Sequence, residues 1–510
     1  MPLRAREVSQ IQNKILNRIL ENARNKQDEI ALSFGEEKIR WDELEKETNQ
    51  IARRILMKLK NKRQVPVAIY NSRNTKFIKY MIAVLKCGSY YIPLERNTPI
   101  ERIRYIIDDA EAQLIITDAE NEHPIHSLNN SIVTTRLGCY ANESDESIEY
   151  KQYDDDLMYV LYTSGTTGYP KGVKIKYANL LNLVESFSRI VYNNFKKSIS
   201  VGVLSSFSFD ASVKQIFCSL HYGHTLCIAD DTVKNFGRKI HNFHHENKLT
   251  VCDATPSHIE LMTLQKVKKK TRIPYILIGG EVLKWETLHR FINFVEHTPS
   301  FINVYGPTEC CVDVAFKEIT QEELKTHTYG IVPIGIPLDN TTLRIKSENG
   351  DVIQDKYVEG DLFISGKQVG AGYINITSSS FFYESDVLTY KTGDRAYLNE
   401  YNEIVIVGRN DTQININGHR IELDEIKHAI ENILSCPCFV FYETVGASKK
   451  IIACICSVQI YEHERSAFKH QLRNVIPKYM IPHHYIFVEN VPVTTNGKFD
   501  KTALFKLLDE

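Results

Sequence analysis

Residues 161–172 read LYTSGTTGYPKG, a stretch whose residue types suit the binding of phosphate. Thr163, Ser164, Thr166 and Thr167 surround Gly165 and Gly168, and Lys171 follows Pro170. Glycine lets the backbone turn so that successive N–H groups point inward, and the hydroxyls add donors for phosphate oxygens. Lys171 supplies a compact positive charge. The pattern is not the common P-loop. Pro170 precedes the lysine where glycine would stand, and Gly172 replaces the Ser/Thr that would hold magnesium. A plain flexible loop of Ser, Thr and Gly is the other reading of this composition.

A phosphate loop needs a rigid element to aim it, and Leu157 to Tyr162 is an apolar run that reads as a buried strand. Residues 11–60 read as helix, turn and helix, with Ile39 to Leu44 a short strand and cap between apolar helical stripes. Val65 to Tyr70, Phe77 to Lys86 and Ser89 to Leu94 read as strand, helix and strand, and Leu114 to Thr117 adds another strand. This alternation predicts a parallel sheet flanked by helices. Beyond about residue 330 the texture changes to short strands (Leu343–Lys346, Asp361–Ile364, Val387–Tyr390, Glu403–Val407) separated by Gly, Asn and Asp turns. That is a β-rich region with the look of a small barrel. From about 410 the chain alternates again, with helices over Ile421–Leu434 and Glu464–Val475 and strands over Phe439–Glu443 and Ile451–Val458. The expected fold class is therefore a multidomain α/β protein. Its core spans 1–409 with a β-rich part at about 330–409, and a small α+β domain covers 410–510.

The chain has 510 residues, more than one core supports. Hydrophobic residues make up 43% and charged residues 25%, the proportions of an ordinary globular enzyme. The formal net charge of −1 disfavours a nucleic-acid binder, which would carry a basic excess. No apolar run approaches the roughly 18 residues of a membrane span, and the N-terminus lacks the apolar stretch of a secretory signal. The eleven cysteines form no CxxC pair. Cys454 and Cys456 lie two apart in a strand-like run, which suits small core residues better than zinc ligands. Reduced thiols in the cytoplasm fit this usage.

Further motifs follow in a fixed order: LKCGSYYIPLE (85–95), FDAS (209–212), NVYGPTE (303–309), GDLFISGKQVGAGY (360–373), YKTGD (390–394), GRNDTQININGHRIELDEI (408–426), PKYMIP (477–482) and NGKFDK (496–501). Together with the loop they resemble the adenylate-forming superfamily, and specifically the amino-acid adenylation domains of nonribosomal peptide synthetases. The resemblance runs from about residue 10 to the C-terminus. It implies an ATP- and Mg²⁺-dependent enzyme that joins a carboxylate to AMP, releases pyrophosphate and then loads a phosphopantetheine thiol. Such chemistry demands charge neutralisation on both reactants and on the leaving pyrophosphate.

By resemblance, the 163–171 loop covers the β- and γ-phosphates, Glu309 helps hold Mg²⁺, and Thr308 and Ile406 also belong to the ATP site. Asn303, Tyr305 and Gly306 look like the adenine shelf. Asp394 resembles the carboxylate that accepts both ribose hydroxyls, with Arg409 assisting. Lys498 looks like the catalytic lysine that bridges the substrate carboxylate and ATP oxygens. Asp411 sits where relatives have the hinge of a mobile C-terminal lid, and Gly418 resembles the glycine beside which the pantetheine arm passes. The chain departs from the family pattern at Glu95 (usually Asp), at Asn415 and Asn417 (usually Lys and Arg) and at Ala371 (usually Arg). These departures bear on partner docking rather than on ATP.

The positions that line the substrate pocket in this family map to Asp210, Ala211, Lys214, Asp253, Leu277, Gly279, Val304, Val312, Asp313 and Lys498. Asp210 matches the residue that pairs with a substrate α-ammonium, so an α-amino acid is implied. Lys214 is the unusual member, because a desolvated cation needs a partner. A substrate side-chain carboxylate would provide one, and the lining looks like that of glutamate-activating members; glutamine-activating relatives have Gln at the Lys214 position. The alternative is that Asp253 or Asp313 neutralises Lys214 internally, leaving a neutral or basic substrate. Two rival functions are an acyl- or aryl-CoA ligase of the same fold and a nucleotide-binding module without catalysis. Asp210 and the NGK ending argue against the first, and the presence of Lys498, Glu309 and Asp394 against the second. No carrier segment with a GGxS-like serine and no HHxxxDG pattern is found, and the pairs His244-His245 and His483-His484 read as surface histidines. The expected partners are an amino acid and a phosphopantetheinylated carrier protein in trans, together with a small activator protein of peptide synthetases. Neither nucleic acid nor membrane is expected.

Overall fold

The computed structural model describes residues 14–117, 133–136, 140–148, 152–165, 168–264, 270–416, 418–445, 448–456, 462–488 and 504. The chain divides into two compact units. The larger comprises Met1–Arg96, Ile107–Tyr162 and Gly172–Asn410. The smaller comprises Asp411–Glu510 together with two short stretches from far upstream, Asn97–Ile106 and Thr163–Lys171.

Two largely parallel sheets form the frame of the larger unit. The six-stranded sheet runs in the order Val133–Arg136, Leu114–Thr117, Pro66–Asn71, Tyr90–Glu95, Leu157–Thr163 and Lys171–Lys176. Pro66–Asn71 is buried along its whole length, and Tyr90–Glu95 at all but its last residue. Such continuous apolar runs are expected of parallel strands covered on both faces. Pro66 is tolerated because it opens its strand. The helix between them, Thr75–Lys86, starts where the Asn74 side chain accepts the Phe77 N–H at 3.3 Å. It is buried nearly all round, and its two buried lysines are matched by glutamates of the helix Trp41–Lys58. Lys79 meets Glu47 at 3.0 Å and Lys86 meets Glu45 at 2.8 Å.

The nine-stranded sheet runs in the order Ile336–Pro337, Ala315–Ile319, Ser300–Tyr305, Tyr275–Ile278, Val251–Ala254, Ser200–Val203, Thr225–Ile228, Ile30–Phe34 and Glu37–Arg40. Its inner pairings are parallel and its edges antiparallel. Here the helix–turn–helix reading of residues 11–60 is corrected. A hairpin, Ile30–Phe34 with Glu37–Arg40, stands between the helices Lys14–Asn25 and Trp41–Lys58, and the second helix begins at Trp41. Gly35, at φ +56, makes the tight turn possible. The β-rich region pairs as a five-stranded antiparallel sheet of Thr341–Lys346, Gly360–Gly366, Val387–Leu398, Phe381–Glu384 and Ile404–Arg409.

In the smaller unit, the strands Cys438–Val445, Ser448–Cys456 and His484–Val488 form one sheet. They pack with the helices Leu423–Leu434 and Glu462–Val475 around Ile426, Ile430, Ala453, Ile455, Phe468 and Leu472. A second sheet is the hairpin of Gln413–Ile416 with His419–Glu422. The two residues between its strands are Asn417 and Gly418, and Gly418 has φ +76. Glycine suits that positive φ because it has no Cβ to clash. Among the described residues no helix is long and apolar enough to cross a membrane.

Candidate active site

In the large unit, Asp253, Gly279, Tyr305 and Gly306 lie at the carboxyl ends of parallel strands, where open α/β sheets place their ligands. The helix Asp210–His221 sets Asp210 in its first turn and Lys214 one turn further on, so both lie along one face. Thr308 donates its hydroxyl to Asp210 Oδ2 at 2.6 Å. Burial raises the Asp210 carboxyl to about 6; the Thr308 hydrogen bond opposes that shift and the Asp313 carboxylate adds to it.

Lys214 is buried, and its ammonium has two partners. Nζ lies 2.7 Å from Asp313 Oδ2 and 3.1 Å from Asp253 Oδ2, with the Phe187 ring centroid at 4.9 Å. Burial works to lower the Lys214 pKa, but the Asp253 and Asp313 carboxylates outweigh it and hold the amine above its ordinary value. Asp253 comes from the strand Val251–Ala254, in register with Leu277 on the next parallel strand. Leu277, Val304 and Val312 are buried in the same core cluster as Phe187 and Val213. Gly279 fits because a Cβ there would lie 2.7 Å from Val304 Cγ2 and 2.8 Å from its carbonyl oxygen. Gly306 is held as tightly, since a Cβ would lie 2.3 Å from the Val312 carbonyl oxygen. Ala211 is half-buried beside Asp210 in the chain.

The backbone is strained where it delivers Asp313. Cys311 has φ +53 and Val312 has φ +75, a conformation a β-branched residue rarely adopts. Gln368 steadies this turn, donating from Nε2 to the carbonyls of Cys311 at 3.1 Å and Asp313 at 3.3 Å.

Asp394 and Arg409 are direct partners across two antiparallel strands. Arg409 NH1 meets Asp394 Oδ1 at 2.7 Å, and the Tyr305 hydroxyl donates to the other oxygen, Oδ2. Burial and the Asp394 charge both push the Tyr305 phenol well above its ordinary range, so it stays a donor. Asn303 spends its amide donor on the Val332 and Pro333 carbonyls, at 3.4 and 2.8 Å. Ile406 is buried in the cluster that includes Ala315, with Tyr305 packed against it. Glu309 is buried, and its Oε1 accepts the Tyr373 hydroxyl at 2.7 Å. One buried carboxylate suits Mg²⁺, which takes one or two protein carboxylates and the rest of its oxygens from water and phosphate. Among the described residues no cluster of three or more His, Cys, Asp or Glu forms a dedicated metal cage.

The glycine- and threonine-rich loop belongs to the small unit. Gly165 donates its N–H to Glu425 Oε2 at 3.1 Å, and Glu425 pairs through Oε1 with Arg102. Ser164 Oγ donates to the Arg420 carbonyl at 3.0 Å and accepts the Glu422 N–H at 3.2 Å. Gly168 has φ +85, and a Cβ there would lie 2.9 Å from His428 Cβ. The Tyr169 ring stacks on Tyr105 with centroids 5.0 Å apart. Asp411 Oδ1 accepts the Gln413 N–H at 3.2 Å. Thr166, Thr167, Asn417 and Lys498 lie outside the described residues.

Sequence reasoning did not single out Tyr373, Phe187, Gln368, Arg102 or Glu425. Tyr373, Gln368 and Glu425 lie inside quoted motifs, so position alone could have flagged them. The other two, Phe187 and Arg102, carry no local signal. One reading is corrected. His244 is buried rather than a surface residue, and burial lowers its imidazole to about 3. His245, His483 and His484 are exposed.

Residues 19–374 match the family described as AMP-binding enzyme. Surfactin synthase subunit 1 of Bacillus subtilis (strain 168) is 31% identical over 458 residues, covering 87% of this chain and 12% of that protein. Zwittermicin A synthase ZmaJ of Bacillus cereus is 32% identical over 493 residues, covering 94% of this chain and 92% of that protein. The chain thus spans about a tenth of some curated relatives and nearly the whole of another. In three dimensions it is similar to the Vibrio cholerae adenylation domain AlmE in complex with glycyl-adenosine-5'-phosphate. The TM-score is 0.84 at 21% identity, with 100% of each chain covered.

Proposed function

Because the chain belongs to the AMP-binding enzyme family, as an adenylation domain of the nonribosomal peptide synthetase type, we propose that it adenylates L-glutamate. The aminoacyl group then passes to the phosphopantetheine thiol of a carrier protein in trans. One observation carries the substrate reading. Lys214 is the sole cation among the nine lining positions of the large unit, one helical turn beyond Asp210 on the same helix face. In this reading Asp210 takes the α-ammonium and Lys214 the side-chain carboxylate.

Each remaining residue has a task set by its chemistry. Asp394, held by Arg409 and Tyr305, accepts the ribose hydroxyls. Tyr305 offers a flat face to adenine, beside Asn303 and Gly306. Glu309, oriented by Tyr373, holds Mg²⁺, which supplies positive charge to the phosphates. The 163–171 loop, with Lys171, covers the β- and γ-phosphates, and Lys498 neutralises the reacting carboxylate. Asp411 is the hinge about which residues 410–510 turn as a lid between the two half-reactions. The cysteines of the described residues are free thiols, which supports a cytoplasmic site of action. A small activator protein of peptide synthetases is a further proposed partner.

The internal pairing of Lys214 with Asp253 and Asp313 favours a second reading, in which the substrate side chain is neutral, as in glutamine. An acyl- or aryl-CoA ligase would have no use for Asp210. ATP–pyrophosphate exchange over a panel of amino acids tests the proposal. Glutamate is expected to give the highest rate, and a higher rate with glutamine or a basic amino acid overturns the glutamate assignment.

A further inference from the structure

Lys214 is outnumbered. Its ammonium is 2% exposed and touches two carboxylates, whose side chains are 10% and 7% exposed at Asp253 and Asp313. With both ionised, the cluster carries one negative charge in excess. A glutamate side chain would bring a third carboxylate to the same ammonium. Carboxylates sharing one buried site do not all remain ionised, and one of them takes a proton.

We propose that seating a carboxylate side chain at Lys214 takes up one proton from solvent, held on Asp253, whose new hydroxyl donates to the incoming carboxylate. A carboxamide side chain takes up none. This inference rests on the glutamate reading above. Asp253 is the better acceptor on geometry: its contact with Lys214 is longer, whereas Asp313 is drawn closer and its backbone is pinned by Gln368. Burial already holds the Asp253 carboxyl above the usual carboxylate range, against the pull of Lys214.

The neighbouring titratable groups do not supply the effect. Cys218 on the same helix, Cys252 beside Asp253, Cys311 before Asp313, and Tyr192 are all pushed upward by burial and stay neutral through the physiological range. Asp210 does titrate, but it faces the α-ammonium, which glutamate and glutamine share. Its contribution therefore cancels in their ratio. The substrate's own α-amino group cancels in the same way.

The enzyme saturated with Mg²⁺ and a non-reacting methylene analogue of ATP is titrated with glutamate or glutamine by calorimetry. Buffers of different ionisation enthalpy are used from pH 6 to 9. Glutamate is expected to take up about one proton more than glutamine, with its affinity advantage falling about tenfold per pH unit where that uptake is complete. Asp253→Asn is expected to remove both effects. Equal proton counts for the two amino acids at every pH overturn the inference and leave the glutamate reading standing. Binding of glutamine without glutamate overturns the glutamate reading and the inference with it. Wild-type calorimetry decides between these outcomes even where Asp253→Asn fails to fold.

Discussion

Arg409 reaches Asp394 across a direct antiparallel pair at 2.7 Å, while Tyr305 donates to the other carboxylate oxygen. Both oxygens are thus oriented by protein groups. Removing Arg409 takes away a hydrogen bond to a charged group, worth roughly 1.5–3 kcal/mol, or about 10- to 150-fold in affinity. Arg409→Ala is expected to raise KM for ATP by that factor and leave KM for the amino acid unchanged, as read by pyrophosphate exchange.

Lys214→Gln should move preference from glutamate toward glutamine. A buried charge left without its partner costs roughly 2–5 kcal/mol, so the shift in the kcat/KM ratio should exceed tenfold. An unchanged ratio would remove Lys214 from the recognition of the side chain.

The pH profile should carry the signature of Asp210. Its carboxyl, raised to about 6 by burial, is ionised above that pH and neutral below it. Pairing with an α-ammonium needs the ionised form. The kcat/KM for the amino acid is therefore expected to fall about tenfold per pH unit below about 6. Thr308→Val removes a donor that favours the ionised form, so the inflection should move upward.

Glu425 joins Gly165 of the 163–171 loop to a buried arginine within the small unit. Breaking a buried ion pair by deleting one partner destabilises by about 3–5 kcal/mol. Glu425→Ala is expected to lower the urea midpoint of the transition that reports on the small unit. Glu425→Gln, which keeps an acceptor for Gly165, should lower it less.

Lys498→Ala is expected to reduce adenylate formation by several hundredfold or more, about the cost of deleting one preorganised charge-stabilising group. Nucleotide binding, measured by equilibrium titration, should be largely kept. Near-normal exchange in this variant would overturn the role proposed for Lys498.

Much of this molecule is legible in its sequence where the signal is local. Asp210 and Lys214 are four residues apart, so a helix alone places them on one face. The runs of apolar residues at 66–71 and 90–95 announce buried strands without further help. The short hairpin at 30–40 was hidden because Glu36, Glu37 and Lys38 interrupt its alternation. Its pairing with Thr225–Ile228 is a long-range choice that no local pattern encodes. The same holds in the site. Lys214 announces a need for a counter-charge, but only the packed sheet shows that both Asp253 and Asp313 meet it. Phe187 and Arg102 are ordinary residues until the fold brings them to a cation and to a carboxylate.

The left-handed turn at Cys311 and Val312 has a practical bearing on retooling substrate choice. Val312 pays in backbone energy to hold Asp313 in place, and the closure depends on Lys214, Gln368 and the glycine at 306 together. Exchanging Val312 or the glycine at 306 alone would disturb the turn that holds Asp313. Grafting the whole cassette from 303 to 313 with its partners at 214 and 368 is the smaller perturbation, although it changes more letters.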